Sequence, residues 1–167
     1  DEAAIAELGI GRKFQKPTVF ESHTVFDNIL LAVAGPRGPF SALFGQRSRP
    51  AKEKVEATLE RVRLIDARDR LAGSLSHGQK QWLEIGMLLA QNPKVLLVDE
   101  PVAGMTDAET EDTATLLKEI SVDHSVIVVE HDMHFVRALN CKVTCLHEGA
   151  VLAEGSLDAV SNNQRVI

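Results

Sequence analysis

The sequence predicts an α/β protein built around a parallel sheet, and its second half carries that prediction. Two short apolar runs rich in valine, VLLVDE at 95–100 and SVIVVE at 125–130, have the composition of strands covered on both faces. Between them lies one helix-length segment that opens with a capping box, Thr106 with Glu109 three residues later. Strand, helix and strand at this spacing predict a right-handed crossover between parallel neighbours.

Shorter elements are predicted in the first half. Gly9 is expected to end a helix over residues 2–8, and RKFQ at 12–15 then predicts a short strand. Thr24 is placed to cap a helix with the sequence TVFDNILLAVA, which should end at Gly35.

A loop and a second helix follow, and a hairpin is expected near the end of the chain. Residues 35–50 contain three prolines and three glycines and predict a loop. From Ala51, apolar residues recur at the spacing of an amphipathic helix, namely Val55, Leu59, Val62 and Ile65. KVTCLHEGAVLAEG at 142–155 predicts two strands joined through Glu148 and Gly149, and Ser156 is placed to cap a final short helix.

The overall composition narrows the class of protein. The chain has 167 residues, of which 44% are hydrophobic, and this fits one soluble globular domain. Its formal net charge of -6 argues against nucleic acid as a partner, because nucleic-acid affinity depends on clustered lysine and arginine. No apolar run approaches the about 20 residues of a membrane-spanning helix, and the acidic start DEAAIAEL is unlike a secretory leader.

An anion site is predicted at the start of a helix over 77–91, which should end before Pro93. Ser76 can cap this helix with Gln79 at the third position. Gly78 has no side chain to block the first turn, where free backbone N–H groups and the helix dipole favour phosphate. An ordinary capped helix would show the same residues, because capping boxes are common.

Polar side chains also follow the predicted strands at the edge where parallel sheets bind ligands. Asp99 and Glu100 end one strand, His131 follows the next, and Gln15 ends the first. An aspartate in this place can hold Mg2+ at a nucleotide's phosphates, and the following glutamate can activate water. A histidine there can contact a terminal phosphate.

The two cysteines, Cys141 and Cys145, are four residues apart on a predicted strand, so both side chains should share one face. We expect reduced thiols in the core. A structural zinc site would need four ligands, and His147 is the one further candidate nearby.

These residues resemble the ATP-binding subunits of ABC transporters, and the order of the motifs matches over nearly the whole chain. LSHGQKQ resembles the family's signature, VLLVDE its Walker B strand, VEHD its switch-histidine loop and FQKP its Q-loop. Longer stretches, such as GRKFQKPTVFESHTVFDNI and LSHGQKQWLEIGMLL, are similar to the branch that takes up branched-chain amino acids, urea and amides. Within this branch, these stretches are most similar in sequence to the urea-type subunit.

The resemblance implies a role for each candidate residue. Asp99 and Gln15 would bind Mg2+, with Gln15 also linking the site to the membrane domain. Glu100 would polarise the hydrolytic water, and His131 would contact both that water and the γ-phosphate. The signature residues would bind the γ-phosphate of ATP held by a second ATP-binding subunit, in a homodimer or heterodimer; they are Ser76, Gly78 and Gln79.

The resemblance also implies a fold, partners and a location. Residues 1–167 would form one incomplete domain of the P-loop NTPase (RecA-like) class with a helical signature subdomain. About 16–91 would carry the Q-loop, helical subdomain and signature helix, and about 92–167 the C-terminal part of the RecA-like core. Permease subunits would dock near Lys16 to Thr24, which places the protein in the cytoplasm on the inner face of the plasma membrane.

Three departures from the family pattern affect these expectations. His77 stands where the signature usually has glycine, and the aspartate usual after Walker B aligns with Thr106 rather than Asp107. None of the eleven glycines precedes a lysine, so the G-x-x-x-x-G-K-[ST] loop that binds phosphates is absent from the sequence.

We expect the chain to be the C-terminal part of an ATPase subunit, inactive in hydrolysis alone and prone to associate. A natural P-loop-less regulatory or interaction module is the alternative.

Overall fold

The computed structural model describes residues 8–13, 18–33 and 49–166. Its strands are β1 (Ile10–Lys13), β2 (Val95–Asp99), β3 (Ser125–Val129), β4 (Val143–His147) and β5 (Ala150–Gly155). Its α-helices are α1 (Val25–Ala32), α2 (Arg49–Arg61), α3 (His77–Leu89), α4 (Asp107–Ile120), α5 (Met133–Leu139) and α6 (Leu157–Ser161). The chain divides into two compact units, residues 1–129 and 130–167.

A three-stranded parallel sheet in the order β1-β2-β3 forms the centre of the first unit. Lys13 pairs with Val98, and Asp99 pairs with Val129. The prediction of a parallel α/β sheet is therefore confirmed. The first strand begins at Ile10 rather than at residue 12, because β1 pairs with β2 immediately after the turn at residues 8–9.

The two faces of this sheet differ in how well they are covered. On one face Leu96 and Val98 are buried completely or almost completely. On the opposite face Leu97 is half-buried, while Ile127 is 54% exposed and Val129 61% exposed. Within the described residues, the apolar strands predicted to be covered on both faces are thus fully covered on one face only.

Helices α1, α2 and α3 pack on one another, and α3 also lies against β1. Their contacts bury Ile29, Leu59 and Leu83 completely. Gly86 permits the close approach, because a Cβ at this position would lie 2.8 Å from Ile29 Cδ1 and 3.2 Å from Val62 Cγ2. The amphipathic pattern predicted from Ala51 onward is confirmed by the burial of its apolar positions.

Several helix boundaries differ by a few residues from the predicted ones. Helix α2 begins at Arg49, inside the predicted loop. Pro50 is tolerated there because backbone N–H groups in the first turn of a helix have no carbonyl partner within the helix, so the missing N–H of proline costs no hydrogen bond. Helix α1 ends at Ala32, and the predicted stop at Gly35 lies outside the described residues. Helix α3 ends at Leu89 rather than Gln91.

Residues 130–167 form a small α/β unit containing an antiparallel hairpin of β4 and β5. The predicted turn is confirmed: Glu148 and Gly149 have φ values of 48° and 78°, and this left-handed pair matches the twist of a tight hairpin. Ser156 caps α6 as predicted, with its side chain accepting a hydrogen bond from Ala159 N at 3.2 Å.

Two features of this second unit were not predicted correctly. Helix α5 was missed, because seven residues are too few to show a helical period; its signal is Asp132, whose carboxylate caps the N–H groups of His134 and Phe135. The placement of Cys141 on a strand was wrong, since β4 begins two residues later. Cys141 is exposed and Cys145 half-buried, and both are free thiols rather than a buried pair.

A search of the described ranges for membrane spans found no helix with the length and apolar character to cross a bilayer.

We expect Gly86→Ala to destabilise the first unit by about 1–3 kcal/mol, because the added methyl group overpacks the crossing with α1. Ile29→Val removes the Cδ1 atom that the new methyl group would meet. In a double-mutant cycle measured by urea unfolding, the double variant should therefore lose less unfolding free energy than the two single variants lose together. Strictly additive free energies of unfolding would contradict this account of the crossing.

We also expect self-association through the exposed face of β3, because association would bury its contiguous apolar side chains. Ile127→Glu should shift the sedimentation profile toward the monomer. Val122→Glu is the matched control, since Val122 is 82% exposed but lies in the turn after α4. A wild-type protein that remains monomeric at high concentration would contradict the expectation.

Candidate functional site

Two half-buried carboxylates lie at the carboxyl end of the central strand. Asp99 is the last residue of β2, and Glu100 follows in the left-handed region with φ 44°. The Glu100 N–H donates to Val129 O at 2.9 Å, which fixes this turn to the end of β3. Positive φ in a non-glycine residue is strained, and such strain persists where the surrounding structure enforces it.

A buried lysine supports the same end of the sheet. Lys13, the last residue of β1, is completely buried and donates from Nζ to the Asp99 backbone oxygen at 3.4 Å. Its charge also acts on Glu84 of α3, whose side chain is almost fully buried. Burial raises the pKa of Glu84, although hydrogen bonds from Thr18 and the Lys13 charge oppose the shift.

The segment after the Gln15 position is held by side chains from α1 and α3. Thr18 donates to Glu84 Oε1 from its hydroxyl at 2.8 Å and from its backbone N–H at 3.3 Å. Asn28 of α1 is completely buried; its Oδ1 accepts from Phe20 N at 2.8 Å and its Nδ2 donates to Phe20 O at 3.1 Å. Gln15, Lys16 and Pro17 lie outside the described residues.

The predicted capping box at the start of α3 is confirmed. Ser76 Oγ accepts from Gln79 N at 3.2 Å, and the Gln79 side chain accepts from Ser76 N at 3.1 Å. The side-chain oxygen of Gln79 is thus engaged within its own helix. Gly78 is buried, and the space that a Cβ would need at this position is occupied by the Glu109 side chain of α4.

A carboxylate from α4 already lies at this helix start. Glu109 Oε1 accepts from Ser76 Oγ at 3.2 Å, and a Cβ on Gly78 would come within 2.8 Å of the same oxygen. Glu109 Oε2 accepts from Thr106 N and from Thr106 Oγ1, both at 3.0 Å. The backbone hydrogen bond from Thr106 chiefly lowers the pKa of Glu109, and the Ser76 hydroxyl and His77 lower it further.

A second contact fixes α4 beside α3. Trp82 Nε1 donates to the hydroxyl of Thr113 at 2.9 Å, and Thr113 is completely buried. Because Glu109 and Thr113 are one helical turn apart, the two contacts keep the same face of α4 on α3. The arrangement places the negative charge of Glu109 at the positive end of the α3 dipole, where a negative charge is favourable.

In the second unit, His131 lies immediately before α5 and its side chain is 81% exposed. The almost fully buried Glu130 carboxylate accepts from His131 N at 2.9 Å and from Asp132 N at 3.2 Å. The imidazole Nδ1 lies 3.7 Å from Glu130 Oε2. Among residues 8–13, 18–33 and 49–166, no group of three His, Cys, Asp or Glu side chains is placed to hold a metal by itself.

Three residues around this site were missed from sequence. Glu84 stands alone as a charge in the apolar stretch WLEIGMLL, which was the available signal for a buried carboxylate. Lys13 gave no signal, because a lysine in a short strand is usually exposed. Glu109 was recognised as the capping residue of α4, but its contact with Ser76 depends on how two helices pack.

Comparisons with known proteins agree with this architecture. The chain is 33% identical to the high-affinity branched-chain amino acid transport ATP-binding protein BraF of Pseudomonas aeruginosa, covering 98% of this chain and 68% of the relative. It is 31% identical to the corresponding LivG protein of Escherichia coli, with the same coverage. The chain thus spans about two thirds of the length of both relatives.

A solved structure and a family model point the same way. The structure of MJ1267, an ATP-binding cassette of an ABC transporter, matches with a TM-score of 0.80 and 29% identity, covering 97% of this chain and 67% of that one. This match confirms the predicted P-loop NTPase class of fold. The family model described as ABC transporter matches residues 1–103. The chain therefore belongs to the ABC transporter family, as its motifs indicated.

Proposed function

We propose that the chain is the C-terminal part of the ATP-hydrolysing subunit of an ABC importer that takes up branched-chain amino acids, short amides or urea. The observation that carries the proposal is the Asp99–Glu100 pair at the carboxyl end of the central parallel strand, in a chain of this family. BraF and LivG are named for branched-chain amino acid transport, which supports that substrate class. The Q-loop and signature sequences resemble those of the urea-type subunit, which supports urea and amides as substrates.

The donor set at the end of β2 fits magnesium. Mg2+ in phosphate-binding sites is usually held by one or two carboxylates together with the substrate's phosphates, and Asp99 supplies a half-buried carboxylate in the right place. Gln15 would be the second protein ligand. The bound ion neutralises charge on the phosphates of ATP.

The remaining residues position and activate water. Glu100 would accept a proton from the attacking water. Its strained backbone conformation already places the residue at the end of the strand in the absence of substrate. His131 would donate a hydrogen bond to the γ-phosphate, and its imidazole Nδ1 lies 3.7 Å from the neighbouring Glu130 carboxylate. Transfer of this kind depends mainly on positioning and on charge stabilisation.

Completion of the site requires a second subunit. Ser76, Gly78 and Gln79 would donate to the γ-phosphate of ATP bound by the partner, so that closure of the dimer assembles the reacting groups. Permease subunits would dock on residues 16–24, which holds the protein peripherally on the cytoplasmic face of the membrane. About 16–91 then form the signature half and about 92–167 the rest of the core.

In the complete transport complex, we expect Glu100→Gln to lower ATP hydrolysis by about 100- to 10,000-fold, because the general base is lost. Binding of a fluorescent Mg-ATP analogue should be retained, since Gln keeps the size of the side chain. Glu111→Gln on the exposed side of α4 is the matched control. Uptake of labelled leucine, acetamide and urea by the same vesicles identifies the substrate.

The chain tested alone provides the contrasting arm of this experiment. Since its sequence has no P-loop motif, we expect no saturable binding of the Mg-ATP analogue at millimolar concentration. Tight binding that is weakened by Asp99→Asn would overturn the proposed dependence on a P-loop. Full hydrolysis by the Glu100→Gln complex would overturn the role given to Glu100.

We expect Glu109→Gln to strengthen the binding of tripolyphosphate at the start of α3 by about two- to fivefold, because a competing negative charge is removed. Glutamine can still form the capping box of α4. The shift of the Gly78 amide resonance in an NMR titration measures the affinity. Glu111→Gln removes the same charge elsewhere on α4 and should leave the affinity unchanged, whereas Ser76→Ala should weaken it.

A further inference from the structure

Helix α3 holds the segment 18–24 with two side chains that lie one turn apart. Glu84 accepts both hydrogen bonds from Thr18, and Lys80 Nζ lies 2.6 Å from Glu21 Oε1. Residues four apart on a helix share one face, so Lys80 and Glu84 point to the same stretch of chain. We call these four residues, Thr18, Glu21, Lys80 and Glu84, the clasp.

Glu84 interacts with residues on both flanks of the stretch that contains Gln15. Lys13 precedes that stretch and acts on Glu84 through its charge, while Thr18 follows it and donates two hydrogen bonds. The second carboxylate oxygen, Oε2, is buried without a hydrogen-bond partner among the described residues. A buried carboxylate that is only partly hydrogen-bonded contributes little or negatively to stability, so folding alone gives a poor reason for glutamate here.

The other half of the clasp lies closer to solvent but has good geometry. The Lys80 side chain is 20% exposed and that of Glu21 is 66% exposed. The backbone around Glu21 is fixed as well, since its carbonyl accepts from Gly73 N at 3.0 Å and the His23 carbonyl accepts from Ala72 N at 2.9 Å. The segment therefore rests on the turn that leads into α3 as well as on the helix itself.

The position of the clasp along α3 gives it a mechanical consequence. Lys80 lies four residues from Ser76, which is about 6 Å along the helix axis at 1.5 Å per residue. A helix of this length moves as a rigid element, because its backbone hydrogen bonds join every turn to the next. A displacement of residues 18–24 would therefore act on the first turn of α3 through Lys80 and Glu84.

We propose that Lys80 and Glu84 are positioning residues that couple the surface at residues 18–24 to the signature end of α3. The inference rests on the proposed function, in which permease subunits dock on that surface and the first turn of α3 binds the partner's ATP. The clasp then makes docking and phosphate contact parts of one movement.

The test compares two rates in the complete transport complex reconstituted in vesicles. The rates are basal ATP hydrolysis and hydrolysis stimulated by leucine, acetamide or urea, using the probe to which the wild type responds. Lys80→Met removes the ion pair with Glu21, and Glu84→Ala removes the acceptor for Thr18. In both variants the ratio of stimulated to basal ATP hydrolysis should fall several-fold, while the KM for ATP stays unchanged.

Conservative variants and a remote control separate coupling from folding. Lys80→Arg keeps the charge and should retain the ratio, and Glu84→Gln, which keeps the acceptor for Thr18, should fall between wild type and Glu84→Ala. Lys118→Met changes a lysine in the last turn of α4 and should have no effect. A loss of folded protein lowers both rates together and leaves the ratio where it was.

The outcomes distinguish this inference from the function on which it rests. A wild-type ratio in both Lys80→Met and Glu84→Ala would overturn the clasp while leaving the ATPase proposal intact. A wild-type complex that does not hydrolyse ATP would overturn the proposed function, and the clasp would lose its role with it. A reduced ratio that Lys80→Arg restores would support the coupling.

Discussion

The close packing of α3 against α1 and α2 at Gly86 is the contact on which the other features of the first unit depend. Without a side chain at residue 86, the three helices approach closely enough to bury Ile29 and Leu59 completely. The same helix lies against β1 and presents its first turn to α4. Its position therefore sets both the contact of its first turn with Glu109 and its packing against the sheet.

Sequence reasoning succeeded where a local pattern determines the structure. The capping residues Ser76, Thr106 and Ser156, the apolar strands and the hairpin turn at Glu148 were all identified, because each depends on neighbours in sequence. Strand and helix ends were less accurate, since pairing and packing extend or shorten an element by a few residues.

What sequence reasoning missed depends on contacts between distant parts of the chain. The link from Glu109 to Ser76 spans 33 residues, and the link from Thr18 to Glu84 spans 66. Neither can be read from periodicity or from caps, which report on one element at a time. Lys13 is similar, because its burial at the end of a strand depends on tertiary packing, and α3 packs against this strand.

The left-handed turn at Glu100 carries a conformational cost at a residue that we propose to be catalytic. A glycine would adopt φ 44° without steric penalty, whereas glutamate in that conformation costs on the order of 1 kcal/mol. If Glu100 has the proposed catalytic role, this strain is a stability–activity trade-off at residue 100. Under the proposed function, replacing Glu100 by glycine would relieve the strain and also remove the proposed general base, so a screen for thermal stability would need an independent assay of hydrolysis.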